Sequence, residues 1–195
     1  MTVKEQKDEL RAEFKRIRRE LPQDYRSAAD AKICATVMGL ASFRYADTLL
    51  IYSPLKYEIN VNELIDAALA SGKRVAFPRC HPEDCTMSFH YVCSRDQLEK
   101  TDMGILEPPL ELPIYDPATH TGRAICIIPG VAYDTHGYRI GYGKGYYDRF
   151  LREFRGTRVG VTYHRLLTDR LPRGKFDLPA DAVITERGVR AFYEN

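Results

Sequence analysis

The sequence has no CxxC pair, no internal repeat, no linker and no long apolar run, and each absence narrows its class. Five cysteines, an odd number without close pairs, argue against a disulfide framework and fit reduced, scattered thiols. No stretch approaches the roughly 20 apolar residues that cross a bilayer. The opening residues MTVKEQKDEL are charged where a secretion signal has its apolar core. An excess of one charge is also missing. Lys and Arg number 29 against 27 Asp and Glu, and the formal net charge of +2 is too small to draw the chain to nucleic acid or a membrane. The expectation is a cytoplasmic monomer that binds neither.

What is present is a chain of 195 residues, 44% hydrophobic and 29% charged, expected to form one domain over residues 1–195. Leu10, Phe14, Ile17 and Leu21 recur at helical steps, so a helix is expected from Lys4 to Leu21, ended by Pro22. Lys4, Lys7, Arg11, Lys15 and Arg18 form a second stripe beside it, read from local pattern as a solvated face. A helix follows from Asp24 to about Leu40. Another, capped by Asn60 and Glu63, is expected to end near Gly72, and Ser94 with Gln97 starts a short one. Strands are expected at Thr48–Tyr52, Arg74–Phe77, Thr86–Val92, Ala124–Ile128, Arg158–Thr162 and Ala182–Thr185, with an edge strand at Val189–Tyr193. The Pro-rich stretch from Gly104 to Pro117 reads as a loop. This alternation indicates an α/β fold, a mostly parallel sheet covered on both faces, with ligands beyond the carboxyl ends of its strands.

Two local clusters carry chemistry. Cys80, His81, Cys85, His90 and Cys93 could suggest zinc, but their spacing is irregular and a strand would turn His90 and Cys93 to opposite faces. The second cluster is PGVAYDTHGYRIGYGKGYYDRFL, Pro129 to Leu151, with glycines at 141, 143 and 145 and Lys144 between the last two. Glycine admits positive φ and close approach to the main chain, and a loop entering a helix presents free N–H groups beside an ammonium. That suits the phosphates of a nucleotide. The cluster matches neither GxxxxGK[ST] nor GxGxxG, so a plain tight turn stands beside that reading.

The segment from Pro129 to Leu151 closely resembles the signature of the 5-formyltetrahydrofolate cyclo-ligase family, also called methenyltetrahydrofolate synthetases. KDELR at 7–11, YSPLKYEI at 52–59, GILEP at 104–108 and DAVITE at 181–186 occur in the family's order. The resemblance implies a three-layer α/β/α fold like that of sugar-phosphate isomerases and CoA transferases. It implies conversion of 5-formyltetrahydrofolate to 5,10-methenyltetrahydrofolate with ATP and Mg2+, releasing ADP and phosphate. In that chemistry the formyl oxygen attacks the γ-phosphate, and the folate N10 then displaces phosphate from the formyl carbon.

Carried over by residue, the resemblance implies an ATP site at Lys7, Arg11, Arg139, Gly141, Tyr142, Gly143, Lys144, Gly145, Tyr146 and Tyr147. Lys144 and Arg139 are the implied catalytic groups. Ser53, Glu58 and the stretch Tyr142–Tyr146 would border the folate, and Asp148 and Asp181 would hold magnesium. For Lys7 and Arg11 this replaces the solvated-face reading, which stands for Lys15 and Arg18. Two positions depart from the pattern: Arg165 stands where a glutamine is expected, and Phe176 precedes Asp177 where the family has His-Asp. Arg165 is expected to tune affinity by reaching a phosphate or the folate glutamate tail. A non-catalytic relative that binds nucleotide or folate is the alternative.

Overall fold

The computed structural model describes residues 1–101 and 104–191. The first half holds α1 (Val3–Glu20), α2 (Gln23–Gly39), α3 (Ala41–Arg44), β1 (Thr48–Leu50), α4 (Asn62–Ala70), β2 (Arg74–His81) and β3 (Thr86–Val92). The short strands β4 (Glu99–Lys100), β5 (Leu106–Glu107) and β6 (Ile114–Tyr115) come next, then β7 (Ala124–Ile128), β8 (Ala132–Asp134) and β9 (Arg139–Ile140). Last come α5 (Tyr146–Phe150), β10 (Thr157–Val161), β11 (Leu167–Thr168), β12 (Ala182–Thr185) and β13 (Gly188–Ala191).

Eight strands form the central sheet in the order β13-β12-β10-β7-β1-β2-β3-β6. The five from β12 to β2 are parallel, and β13, β3 and β6 add to the edges antiparallel. Burial on both faces explains why β7 is apolar throughout and why all three residues of β1 are buried. Alternate residues serve opposite layers. Leu49, Ile125, Ile127, Val159 and Ile184 pack with Ile33 and Val37 of α2 and Leu64 and Ile65 of α4. Leu50, Ala76, Cys126 and Ile128 pack with Leu151 and Phe154 beyond α5. This second layer is thinner than the alternating pattern suggests. It is built from the five-residue α5 and from a small sheet, β11-β8-β9, whose Tyr133 packs with Ala180 and Val183.

The expected elements are present, the short one after Ser94 as a single 3-10 turn over Arg95–Gln97, with shifted ends that have local causes. α1 starts at a capping box in which Thr2 and Glu5 bond each other's backbone N–H. Asn60 does not cap α4. Val61 occupies that position, and the Asn60 side chain accepts from the Asn62 N–H at 3.1 Å instead. β2 runs through Pro78 to His81, because past Ala76 its β1 neighbour has ended and only β3 pairs with it. Within the Pro-rich stretch, Leu106–Glu107 and Ile114–Tyr115 form short strands. The end strand is Gly188–Ala191, and the expected positions 192–193 lie outside the described residues. Among the described residues no helix is long and apolar enough to cross a membrane.

α1 does not lie flat on the sheet. Its Leu10 and Phe14 pack with Val131, Ile140 and Leu171, so the helix crosses the carboxyl edge of the parallel strands. That crossing carries its basic stripe to the glycine loop.

Candidate active site at the carboxyl edge of the sheet

Three segments meet α1 at this edge. The chain leaving β1 makes a tight turn over Ser53–Glu58, closed by the Glu58 N–H donating to the Leu55 carbonyl at 2.9 Å. The chain leaving β7 folds back as the β8–β9 hairpin and then forms the glycine loop at 141–145. A third segment, residues 171–178, returns against the β8–β9 hairpin.

The hairpin is pinned by a residue that sequence reading passed over. Asp134 is fully buried. Its Oδ1 accepts from the N–H groups of His136 and Tyr138, both at 2.9 Å, and its Oδ2 accepts from Leu171 N–H at 3.1 Å and Arg173 Nη2 at 3.3 Å. The signal was available in the Asp-Thr-His-Gly sequence, since an aspartate that bonds its own backbone two residues on is a turn former.

In the loop, Gly143 (φ 97°) and Gly145 (φ 74°) adopt the left-handed region that side chains disfavour. Among the described residues the N–H groups of Gly143, Lys144 and Gly145 donate to no protein acceptor. Lys144 is exposed, and its carbonyl accepts from Arg149 at 2.7 Å. The loop therefore offers backbone donors and one ammonium to an anion. The helix after it is a single short turn, so backbone donors and the lysine outweigh any helix dipole.

The basic stripe of α1 reaches this loop at three levels. Lys7 pairs with Asp177, which also accepts from Gly174 N–H at 2.7 Å. Arg11 donates from Nε to the Gly141 carbonyl at 2.7 Å, lies against Gly143 and pairs with Asp8. Arg18 departs from the solvated face expected of it. It is buried, and it donates to the Gly130 carbonyl at 3.2 Å and to the Tyr142 hydroxyl at 2.9 Å. Lys15 sits 4.8 Å from the centre of the Tyr142 ring, and burial, with Arg11, Arg18 and Arg19 beside it, lowers its pKa. From Lys7 to Arg18 the stripe is thus an interface, while Lys4 is exposed.

Tyr142 joins the loop to the β1 turn by donating to Glu58 Oε1 at 2.6 Å. Glu58 is buried, and its Oε2 accepts from Leu55 N–H at 2.9 Å. Burial and the Glu58 carboxylate push the Tyr142 hydroxyl up to about 12. Ser53 stands half-buried at the start of the same turn. Tyr146 and Tyr147 pack against the α5-side core, Tyr147 edge-on to Phe89 at 6.4 Å. Among the described residues the buried Tyr147 hydroxyl has no partner.

Arg139 is buried and holds the end of this site together. Its guanidinium donates to the Leu178 carbonyl at 3.2 Å and to Asp148 Oδ1 at 2.9 Å. Asp181 does not join Asp148 as expected. It precedes β12, at the amino edge of the sheet, where Oδ2 accepts from Arg158 N–H at 2.7 Å and Oδ1 from the Arg158 side chain at 2.6 and 3.0 Å. Among the described residues no three His, Cys, Asp or Glu side chains gather where they could hold a metal. Both ring nitrogens of His90 are engaged, with Leu112 O at 2.9 Å and Ser88 at 2.8 Å, and all five cysteines are free thiols. Arg165 is exposed and stacks over Tyr25 at 5.4 Å, and Phe176, 60% exposed, lies against Arg152 at 4.7 Å. With Tyr25 as its partner, Arg165→Gln is expected to leave KM for ATP and for 5-formyltetrahydrofolate, the substrates that the sequence resemblance implies, within about two-fold in steady-state kinetics. A change of tenfold would bring Arg165 into the site.

An open, mostly parallel sheet covered by helices, with a glycine-rich loop beyond the carboxyl ends of its strands, defines an α/β protein of the class whose ligands bind at that edge. The chain belongs to the 5-formyltetrahydrofolate cyclo-ligase family, whose model matches residues 3–186. It is 33% identical to a solved 5,10-methenyltetrahydrofolate synthetase of Aquifex aeolicus, with a TM-score of 0.83 over 97% of this chain and 94% of that one. A solved 5,10-methenyltetrahydrofolate synthetase of Mycoplasma pneumoniae shares the fold, with a TM-score of 0.73 at 24% identity over 92% of this chain and 98% of that one. Among curated relatives, the 5-formyltetrahydrofolate cyclo-ligase of Haemophilus influenzae is 28% identical over 183 residues, 90% of this chain and 95% of that protein.

Proposed function

We propose that this protein cyclises 5-formyltetrahydrofolate to 5,10-methenyltetrahydrofolate, consuming ATP with magnesium and releasing ADP and phosphate. One observation carries the reading: the Tyr142 hydroxyl bonds Glu58, so a phosphate-suited loop and a buried carboxylate stand side by side. A carboxylate that accepts hydrogen bonds suits the N–H groups of a pterin, and the loop beside it suits a triphosphate.

The residues have distinct tasks. Arg11 and the free N–H groups of the loop hold the phosphates, with Lys7 available once a stronger anion competes with Asp177. The formyl oxygen attacks the γ-phosphorus as the bond to the β-phosphate oxygen breaks and ADP departs. N10 then bonds to the formyl carbon, its proton leaves, and the carbon–oxygen bond breaks to release phosphate. Lys144 neutralises charge on the transferring phosphoryl group in both steps. Asp148 fits a hard cation as a single carboxylate, since Arg139 and Leu178 both donate to Oδ1 and, among the described residues, none donates to Oδ2. Bound there with the phosphates, magnesium would supply charge neutralisation. Asp181, committed to Arg158, takes no part.

Two measurements test the reading. Absorbance of the methenyl product should rise only when enzyme, ATP, magnesium and 5-formyltetrahydrofolate are all present. ATP with magnesium alone should also raise the melting temperature. At about a hundred times Kd the gain is roughly 2.7 kcal/mol, or about 5–11 °C at roughly 2–4 °C per kcal/mol. Stabilisation by both ligands without turnover would instead fit a binding-only relative.

A further inference from the structure

We propose that Arg18 is a positioning residue: through the Tyr142 hydroxyl it fixes the Glu58 carboxylate and locks the β1 turn to the glycine loop. The identity of the ligand rests on the folate reading above, but the relay itself stands on geometry. Arg18 is 6% exposed, and one guanidinium bonds two parts of the 130–142 stretch, the Gly130 carbonyl and the Tyr142 oxygen. A guanidinium only donates, so the Tyr142 oxygen must accept from it, and the phenolic proton is left for Glu58. Glu58 is thereby held as an acceptor on both oxygens, by Tyr142 and by Leu55 N–H.

Three further features agree. The Tyr142 ring is 45% exposed although its hydroxyl is bonded on both sides, so the ring lies at the rim while the relay lies beneath it. Tyr57, next to Glu58, has φ 72°, a conformation that a non-glycine residue keeps only when its surroundings hold it. Tyr142 also sits between Gly141, whose carbonyl takes Arg11, and Gly143, which lies against the same guanidinium. Any movement of Glu58 is therefore felt at the phosphate loop, and α1 supports both ends.

The test compares wild type, Tyr142→Phe, Arg18→Leu and the double variant. Tyr142→Phe removes one hydroxyl from a half-exposed ring and is expected to fold, which keeps the test sound if Arg18→Leu does not. Loss of a hydrogen bond to a charged group should raise Kd and KM for 5-formyltetrahydrofolate about ten- to a hundredfold in either single variant, with kcat at saturation within about three-fold. The double variant should be no weaker than the weaker single, because both break one chain. Amide hydrogen exchange should quicken in each variant both at Leu55 and Glu58 in the β1 turn and at Arg149, whose N–H donates to the Gly145 carbonyl and so reports on the glycine loop. Losses that multiply in the double variant, a fall in kcat at unchanged KM, or exchange that quickens at one segment alone would each overturn the relay. A wild type that binds no folate would remove the functional reading, and the exchange measurement would still decide the relay.

Discussion

Lys144→Ala is expected to lower kcat for cyclisation by about 10²- to 10³-fold, the usual cost of roughly 2.7–4 kcal/mol for one donor aimed at developing charge. The melting temperature should hardly move. Lys144 is exposed, so the substitution falls within the roughly 0.5 kcal/mol typical of surface changes. The loop should keep its shape too, because Gly143 and Gly145 supply the left-handed turns and Arg149 holds the backbone carbonyl at position 144. Steady-state kinetics at saturating ATP and folate, with a melting curve beside them, check both halves. A variant retaining more than half of the wild-type kcat would reduce Lys144 to a solvated turn residue. A collapse in melting temperature would make its role structural.

The largest effect on stability is expected from Asp134→Ala. The substitution leaves three backbone N–H groups without their acceptor and strips Arg173 of its anion. Removing one partner of a buried pair costs about 3–5 kcal/mol. Because Arg173 is 29% exposed and can turn toward water, the lower end applies. At roughly 2–4 °C per kcal/mol, a loss of about 3 kcal/mol lowers the melting temperature by about 6–12 °C. Calorimetry would check this, and a shift under about 2 °C would mean that water replaces the carboxylate. The effect should extend to the site, since the hairpin that Asp134 pins runs directly into the glycine loop.

Much of this was legible along the chain. The helical steps of Leu10, Phe14 and Ile17 and the apolar run of β7 define elements from local periodicity, and their alternation implies a parallel sheet. The glycines at 141, 143 and 145 mark a turn for the same local reason, and the motif order marks the family. Periodicity reports which face of an element is apolar. It does not report which other segment will lie against the polar face.

That choice belongs to tertiary packing, and it separates residues that look alike in sequence. Lys15 and Arg18 share one stripe, yet only Arg18 is driven inside, because α1 crosses the sheet edge where Gly130 and Tyr142 supply acceptors. Asp148 and Asp181 are both aspartates near the start of an element. The first faces the loop under Arg139, while the second lies at the opposite edge under Arg158, since a parallel sheet has its strand starts at one edge and its strand ends at the other. Arg165, expected to reach a phosphate or the folate glutamate tail, lies over the Tyr25 ring of α2. Sequence alone determined the elements, the place of the glycine loop after a strand, and the family. Only the folded chain decided which charges meet, because Tyr142 and Glu58 are 84 residues apart and Arg18 and Tyr142 are 124 apart, and no local pattern encodes a contact at that separation.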